Sequence, residues 1–242
     1  MKMICMGLDI SDNDISCCED IVNNVDDSLS RIIDDNVIFS KVTNVTGDDI
    51  TVTSIIKDDM TLEVTNRKVY DILYENALGF DDLRGVSKTK DDAGEGISYA
   101  EIELNPDYYP DAVVIAFDTY CGESFVSDVA MKATKAIEGM DNVGSVSCSV
   151  VEDIKEIPGV GFVSSCTDDP VIVASVENVN DVGVVAGAAM GAILGYGNTY
   201  LVKKSTACNV IPGSAIFSVS AIMNCNVIDL SGAFIHRCRI LE

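Results

Sequence analysis

The chain of 242 residues has no tryptophan, a single histidine, His236, and only five prolines. Basic residues are scarce: 16 Lys and Arg stand against 39 Asp and Glu, a formal net charge of −23. So acidic a surface cannot neutralise a phosphate backbone or an anionic bilayer, which argues against nucleic acid and membrane surfaces as partners. Such charge fits solubility in a salty cytoplasm, and it also fits a docking surface for a basic partner or a divalent cation. No apolar run reaches the roughly 20 residues that a membrane span needs, and the N-terminal Met1-Lys2-Met3-Ile4-Cys5 lacks the layout of a signal peptide. The nine cysteines are odd in number, scattered, and never spaced as CxxC, so a reducing, cytoplasmic setting with free thiols is expected. His236 with Cys238 is a poor zinc signature. There is no GxxxxGK[ST], GxGxxG or GxSxG, so no phosphate loop, dinucleotide fingerprint or hydrolase elbow is present, and no cofactor is named.

What the chain does have is glycine in one place. Gly183, Gly187, Gly191 and Gly195 recur every fourth residue through an apolar stretch. On a helix these positions form one bare ridge. Interior glycines cost roughly 0.5–1 kcal/mol each relative to alanine, so a close contact is expected in return. Two contacts suit it: a sheet within the same chain, or a second copy of the chain across a homo-oligomer interface at residues 181–197.

The polarity changes near residue 97. Residues 1–96 read as an acidic α+β region, with doublets such as Asp26-Asp27, Asp48-Asp49, Asp58-Asp59 and Asp81-Asp82. A helix is expected over 18–33, because Ile21, Val22, Val25, Leu29, Ile32 and Ile33 share one face. Alternating β-branched runs at 37–42, 50–55 and 61–64 read as a strand meander, with Gly47-Asp48-Asp49 as a hairpin turn. A second helix is expected over 67–77, and the polar, glycine-rich 85–96 reads as a linker or surface loop. From 97 to 242 the pattern suggests strands at 97–104, 112–117, 143–150, 159–164, 171–176, 200–203, 215–222 and 226–229, and helices at 125–139 and in the glycine stretch. The β-α-β-β-α-β order between 111 and 204 predicts an α+β, ferredoxin-like split βαβ core behind the acidic helix and meander.

Three polar clusters interrupt the buried strands. Asp118-Thr119-Tyr120-Cys121-Gly122-Glu123-Ser124 follows a strand and precedes a helix. Asp118 there suits a metal ligand or general base, and Cys121 a thiol activated by a helix N-terminus. The same residues also fit a plain helix start, with Gly122 turning and Ser124 capping. Ser165-Cys166-Thr167-Asp168-Asp169 places two carboxylates and a thiol in one loop, suited to a raised pKa or a cation, or to a solvated turn. Lys203-Lys204-Ser205-Thr206-Ala207-Cys208-Asn209 holds an adjacent basic pair, suited to a phosphate or carboxylate or to balancing surface charge. Together they outline a site for an anionic small molecule. Asp118, Cys121 and Asp168 would be its catalytic groups, and Gly122, Cys166, Asp169, Lys203, Lys204, Ser205 and Thr206 its ligand-binding groups.

Residues 111–176 resemble one lobe of archaeal formylmethanofuran–tetrahydromethanopterin formyltransferase. The resemblance lies in a strand, the helix Val129-Ala130-Met131-Lys132-Ala133-Thr134-Lys135-Ala136-Ile137, and Val163-Ser164-Ser165-Cys166-Thr167-Asp168-Asp169. It covers about a quarter of the chain and contains no motif unique to that enzyme, so it implies architecture and an archaeal setting and carries no catalytic residue across. The reading is therefore an enzyme or cofactor-handling protein for an anionic small molecule; the alternative is a non-enzymatic homo-oligomer built on the glycine ridge.

Overall fold

The computed structural model describes residues 1–11, 16–120, 123–150, 153–164 and 169–239, with backbone alone for 123, 124 and 236–239. The fold mixes helices with antiparallel sheets. The first half runs β1 (Lys2–Asp9), α1 (Glu19–Ser30), β2 (Val37–Thr46), β3 (Asp49–Ile56), α2 (Leu62–Asn76), a short α3 (Asp81–Gly85) and β4 (Ser98–Glu103). These strands form an antiparallel sheet in the order β2-β3-β1-β4. β4 lies beyond residue 97, yet it hydrogen-bonds to β1.

The second half runs β5 (Asp111–Tyr120), α4 (Glu123–Glu138), β6 (Val143–Cys148), β7 (Lys155–Ile157), β8 (Gly161–Val163), β9 (Val171–Val176), α5 (Val182–Leu194), β10 (Thr199–Leu201), β11 (Ser214–Met223), β12 (Asn226–Asp229) and α6 (Leu230–Arg239). Its main sheet has the order β10-β11-β5-β9-β6, with β12 on β11 and the β7–β8 hairpin apart. All its pairs are antiparallel except β10–β11. The core order β11-β5-β9-β6 repeats β4-β1-β3-β2, and both halves connect strand, helix, strand, strand, helix, strand.

Side-chain alternation explains how the halves stack. Along β1, Ile4, Met6 and Leu8 face α1 and α2, joining Val25, Leu29, Val69 and Leu73. Along β5, Val113, Ile115 and Phe117 face α4 and α5, joining Val129, Ala133, Ala186 and Ile193. The opposite faces meet each other: Met3, Cys5 and Ile55 of the first sheet pack on Ala112, Val114, Ala116, Val171 and Val173 of the second. Strands buried on both faces read as continuous apolar runs, as β5 and β9 do. The result is four layers: helices, sheet, sheet, helices. Gly7 lies on the inner face, where a Cβ would stand 2.8 Å from Val171 Cγ2, so a side chain there would hold the sheets apart. A polar seam ties β2 to β11. Asn44 Nδ2 donates to the Ser218 carbonyl at 3.2 Å and to Ser218 Oγ at 3.0 Å, and Ser220 Oγ donates to the Thr43 carbonyl at 2.8 Å.

Several expectations change. Thr61–Val64 leads into α2 and is not a strand: Asp58 Oδ1 accepts the Thr61 N–H at 3.1 Å and caps a tight turn that feeds the helix. β1, one of the two inner strands of the first sheet, has no polar alternation and carries no strand pattern of its own. Residues 85–96 close on themselves, with the Gly94 N–H donating to the Gly85 carbonyl at 2.9 Å, and Ser87 bridges Phe162 of β8. The glycine ridge does not lie on the sheet. A Cβ at Gly183, Gly187 or Gly191 would meet nothing within 4 Å. Val185, Ala186, Ala189 and Ile193 take the inward face because they have apolar surface to bury and glycine has none.

Candidate functional site

Four carboxylates close one end of the space between the sheets. Asp9 and Asp49 are cross-strand partners at the end of the β1–β3 ladder. Both continue the inner face, since Asp9 shares the parity of Met3 and Cys5, and Asp49 that of Ile55. In the second sheet Asp118 shares the parity of Ala112, Val114 and Ala116, and Asp169 that of Val171 and Val173. Continuing the β5–β9 ladder beyond Ala116–Val171 sets Asp118 opposite Asp169. The apolar seam between the sheets thus ends in aspartates from both.

The β2–β3 hairpin brings Asp48 to the same place. Its tip, Gly47, has φ +65°, a conformation that favours glycine. A Cβ here would lie 1.6 Å from Asp118 Oδ2, so glycine is what lets the hairpin reach the second sheet. The tip is held by its backbone: the Gly47 N–H donates to the Thr206 carbonyl at 3.0 Å, and the Gly47 carbonyl accepts the Cys17 N–H at 3.0 Å.

These groups line a cleft of about 580 Å³ together with Asp81, Asp82, Glu95, Thr119, Tyr120 and the segment Cys208–Val210. Among the described residues lining it there is no Lys or Arg. Asp118 Oδ2 accepts the Asn209 N–H at 3.2 Å, and the Cys208 thiol points to Oδ1 at 3.8 Å. Asp169 Oδ1 accepts the Thr119 N–H at 2.8 Å. Asp49 is 5% exposed, and its Oδ1 is buried without a hydrogen-bond partner.

The electrostatics follow from burial and crowding. Burial, then the charges of Asp169, Asp118, Asp82 and Asp48, hold the Asp49 carboxyl well above the ordinary carboxylate range. Burial pushes Asp118 up to about 6, with Asp48 and Asp9 adding to the rise and the Asn209 N–H and Cys208 opposing it. Burial and the Asp118 and Asp48 charges likewise raise the Cys208 thiol. Two sets of ligand atoms lie within 4.8 Å of one another: Asp49, Asp118 and Asp169, and Asp48, Asp118 and Cys208. Carboxylate oxygens that converge in this way form a donor set suited to a divalent cation.

The model of the family described as "Uncharacterised conserved protein UCP005278" matches residues 2–238. The chain belongs to this family. An uncharacterised protein of Methanothermobacter thermautotrophicus is 47% identical over 242 residues, covering 100% of this chain and 98% of the relative. The Methanocaldococcus jannaschii protein described as "Uncharacterized protein MJ1676" is 40% identical over 232 residues, covering 95% of each. The family setting is thus archaeal. Among solved structures, the formylmethanofuran:tetrahydromethanopterin formyltransferase of Methanosarcina barkeri aligns over 89% of this chain and 88% of its own, at 9% identity and a TM-score of 0.26. A likeness that weak assigns neither fold nor activity.

Of the residues singled out in sequence, Asp118 and Asp169 meet in the cleft of this family member. Cys121, Gly122, Cys166 and Asp168 lie outside the described residues. Lys203, Lys204, Ser205 and Thr206 run beside the end of β2 instead. The Ser205 N–H donates to the Val45 carbonyl at 2.9 Å, Thr206 bridges Thr46, and Lys204 Nζ lies 3.5 Å from the Val42 carbonyl. Burial lowers the Lys204 ammonium. The segment therefore latches the hairpin, and its continuation, Cys208–Val210, enters the cleft.

Asp9, Asp48 and Asp49 carried no site signal of their own, and Cys208 stood only as a member of the 203–209 cluster. One signal was present: Asp48-Asp49 and Asp168-Asp169 stand 120 residues apart, each before a β-branched run that leads into a helix. Among the described residues no helix is long and apolar enough to cross a membrane.

Proposed function

We propose that the protein binds a divalent cation in the cleft between its sheets and, through it, an anionic small molecule. The observation that carries this reading is Asp49, whose Oδ1 is buried without a hydrogen-bond partner and whose carboxylate lies within 4.8 Å of those of Asp118 and Asp169. A carboxylate desolvated without a hydrogen bond or counter-charge is strongly disfavoured, and a cation removes that penalty. The acidic lining repels a free anion, so a phosphate or carboxylate is held here only on a metal ion, which also polarises it for reaction. This makes the protein a metal-dependent enzyme or cofactor-handling protein. Asp118 and Asp169 are metal ligands in this reading. The free thiols of Cys5, Cys17, Cys18, Cys148, Cys208 and Cys225 suit a reducing cytoplasm. The repeated strand order supports two ferredoxin-like units, dividing between β4 and β5.

Isothermal titration with Mn²⁺ after chelator treatment tests the proposal. Saturable binding that weakens at least tenfold in Asp49→Asn supports it. A wild-type chain that takes up no Mn²⁺, Mg²⁺ or Zn²⁺ sinks it.

A second reading has its own observation. The α5 ridge of Gly183, Gly187 and Gly191 faces open space, flanked by Val184 and Leu194 at 56% and 41% exposure. An uncharged helix face on so acidic a chain is where two copies approach with least repulsion, and small residues allow close helix contact. The association state of the protein by light scattering tests it: a monomer at all concentrations removes this reading.

A further inference from the structure

Resting on the metal-dependent reading above, we infer that the cleft holds two divalent cations side by side, with Asp118 as the shared carboxylate between them. The two ligand sets have only Asp118 in common: Asp49, Asp118 and Asp169 on one side, Asp48, Asp118 and Cys208 on the other. Asp48 closes the hairpin turn and Asp49 opens β3, and the two do not occur together in either ligand set. They are poorly placed to share one ion and well placed to serve one each. The two oxygens of Asp118 are also differently placed: Oδ1 faces the Cys208 sulfur, and Oδ2 accepts the Asn209 N–H.

Charge points the same way. Asp9, Asp48, Asp49, Asp82, Asp118 and Asp169 all line the cleft, with no Lys or Arg among its described lining residues. Two divalent ions suit this acidic lining and leave positive charge to hold an anion. Within this lining Asp49 Oδ1 is buried without a hydrogen-bond partner. The donor sets differ in kind. The Asp49 side is all oxygen and suits a hard ion such as Mg²⁺ or Mn²⁺. The Cys208 side adds sulfur and suits a first-row ion such as Co²⁺, Zn²⁺ or Fe²⁺. Paired ions sharing a carboxylate stand about 3.5–4 Å apart in two-metal sites, a spacing that spans two oxygens of one phosphoryl or carboxylate group. The ligand class is therefore a small molecule bearing such a group, bridging both ions.

The test loads the full, chelator-treated chain with Co²⁺ and reads stoichiometry by elemental analysis and coordination by absorption. Two ions per chain are expected, with a thiolate-to-cobalt charge-transfer band. Cys208→Ser should lose the band. Asp49→Asn should lose one ion and keep the band, and Asp118→Asn should lose both ions, all with wild-type circular dichroism. A single ion, retained without change in Cys208→Ser and lost in Asp49→Asn, overturns the two-ion inference and leaves the metal-dependent reading standing. A chain that binds no ion overturns both.

Discussion

Asp118 stands in the second sheet where Asp9 stands in the first. Lys2 pairs with Ile56 and, seven residues on, Asp9 pairs with Asp49. Asp111 pairs with Val176, and the same step along β5 and β9 brings Asp118 opposite Asp169. Two strand pairs built alike, in sheets packed face to face, thus deliver their terminal aspartates to one cleft. The cleft follows from the repeated strand order, and neither half lines it alone.

The hairpin tip is the tightest point of that convergence. Gly47→Ala introduces a Cβ where Asp118 Oδ2 lies 1.6 Å away, on a residue with φ +65°. Backbone strain and displacement of the carboxylate together should cost about 1–3 kcal/mol and weaken cation binding at least tenfold. Urea denaturation and calorimetry on the same variant check both. Wild-type affinity in Gly47→Ala would show that the hairpin can withdraw without loss of the site.

The metal-free protein should lose stability as pH rises through the weakly acidic range. Asp118 titrates at about 6 in the folded chain and near 4 when unfolded. Between these values the folded state binds more protons, so this group's destabilisation is absent below about pH 4 and complete above about pH 6. It should amount to about 2–3 kcal/mol, with Asp49 acting in the same direction. In the presence of chelator, Asp118→Asn should gain stability relative to wild type from pH 4 to 7, and the gain should vanish with saturating Mn²⁺. A stability difference independent of pH would show that Asp118 is not the group responsible.

The polar seam between β2 and β11 should matter to the cleft although it lies outside it. Ser218 accepts from Asn44 through both its Oγ and its carbonyl, and its hydroxyl pairs with Thr46, one residue before Gly47. Ser218→Ala strands the Thr46 hydroxyl in a buried setting, at about 1–3 kcal/mol. Because Thr46 leads into the hairpin tip, cation affinity should fall as well. Thermal melting with and without Mn²⁺ separates the two effects, since a purely structural loss would shift both curves equally.

The outward glycine ridge should tolerate side chains that an inward one would not. Gly187→Leu and Gly191→Leu place atoms in open space on α5. The monomer fold should persist, with helix stability unchanged or raised by up to about 1 kcal/mol. If copies associate through this face, the same variants should be monomeric by light scattering. Collapse of the fold would mean that the ridge is buried within the chain.

Much of the secondary structure was legible because its causes are local. The period of Ile21, Val25 and Leu29 marks α1, β-branched runs mark β2, β3, β5 and β9, and Gly47 with two aspartates marks a turn. Legibility failed where the deciding contact was distant. β1 is a run of Met, Ile, Cys and Leu without alternation, and its place between β3 and β4 makes it a strand. The glycine periodicity correctly implied a bare helix face, but which face the sheet would cover depended on the larger apolar residues competing for it.

The candidate site divides in the same way. Asp118 and the Asp168-Asp169 loop stood out because each interrupts an apolar run, a property of sequence alone. That Asp9, Asp48 and Asp49 belong beside them, and that Lys203 and Lys204 do not, was decided by the packing of one sheet on the other. Composition determined an acidic, cysteine-bearing chain of alternating strands and helices. Only the tertiary structure decided which of its many aspartates lose their water and face one another, because desolvation and mutual repulsion arise from proximity in space, and residues 9, 49, 118 and 169 are close only in the fold.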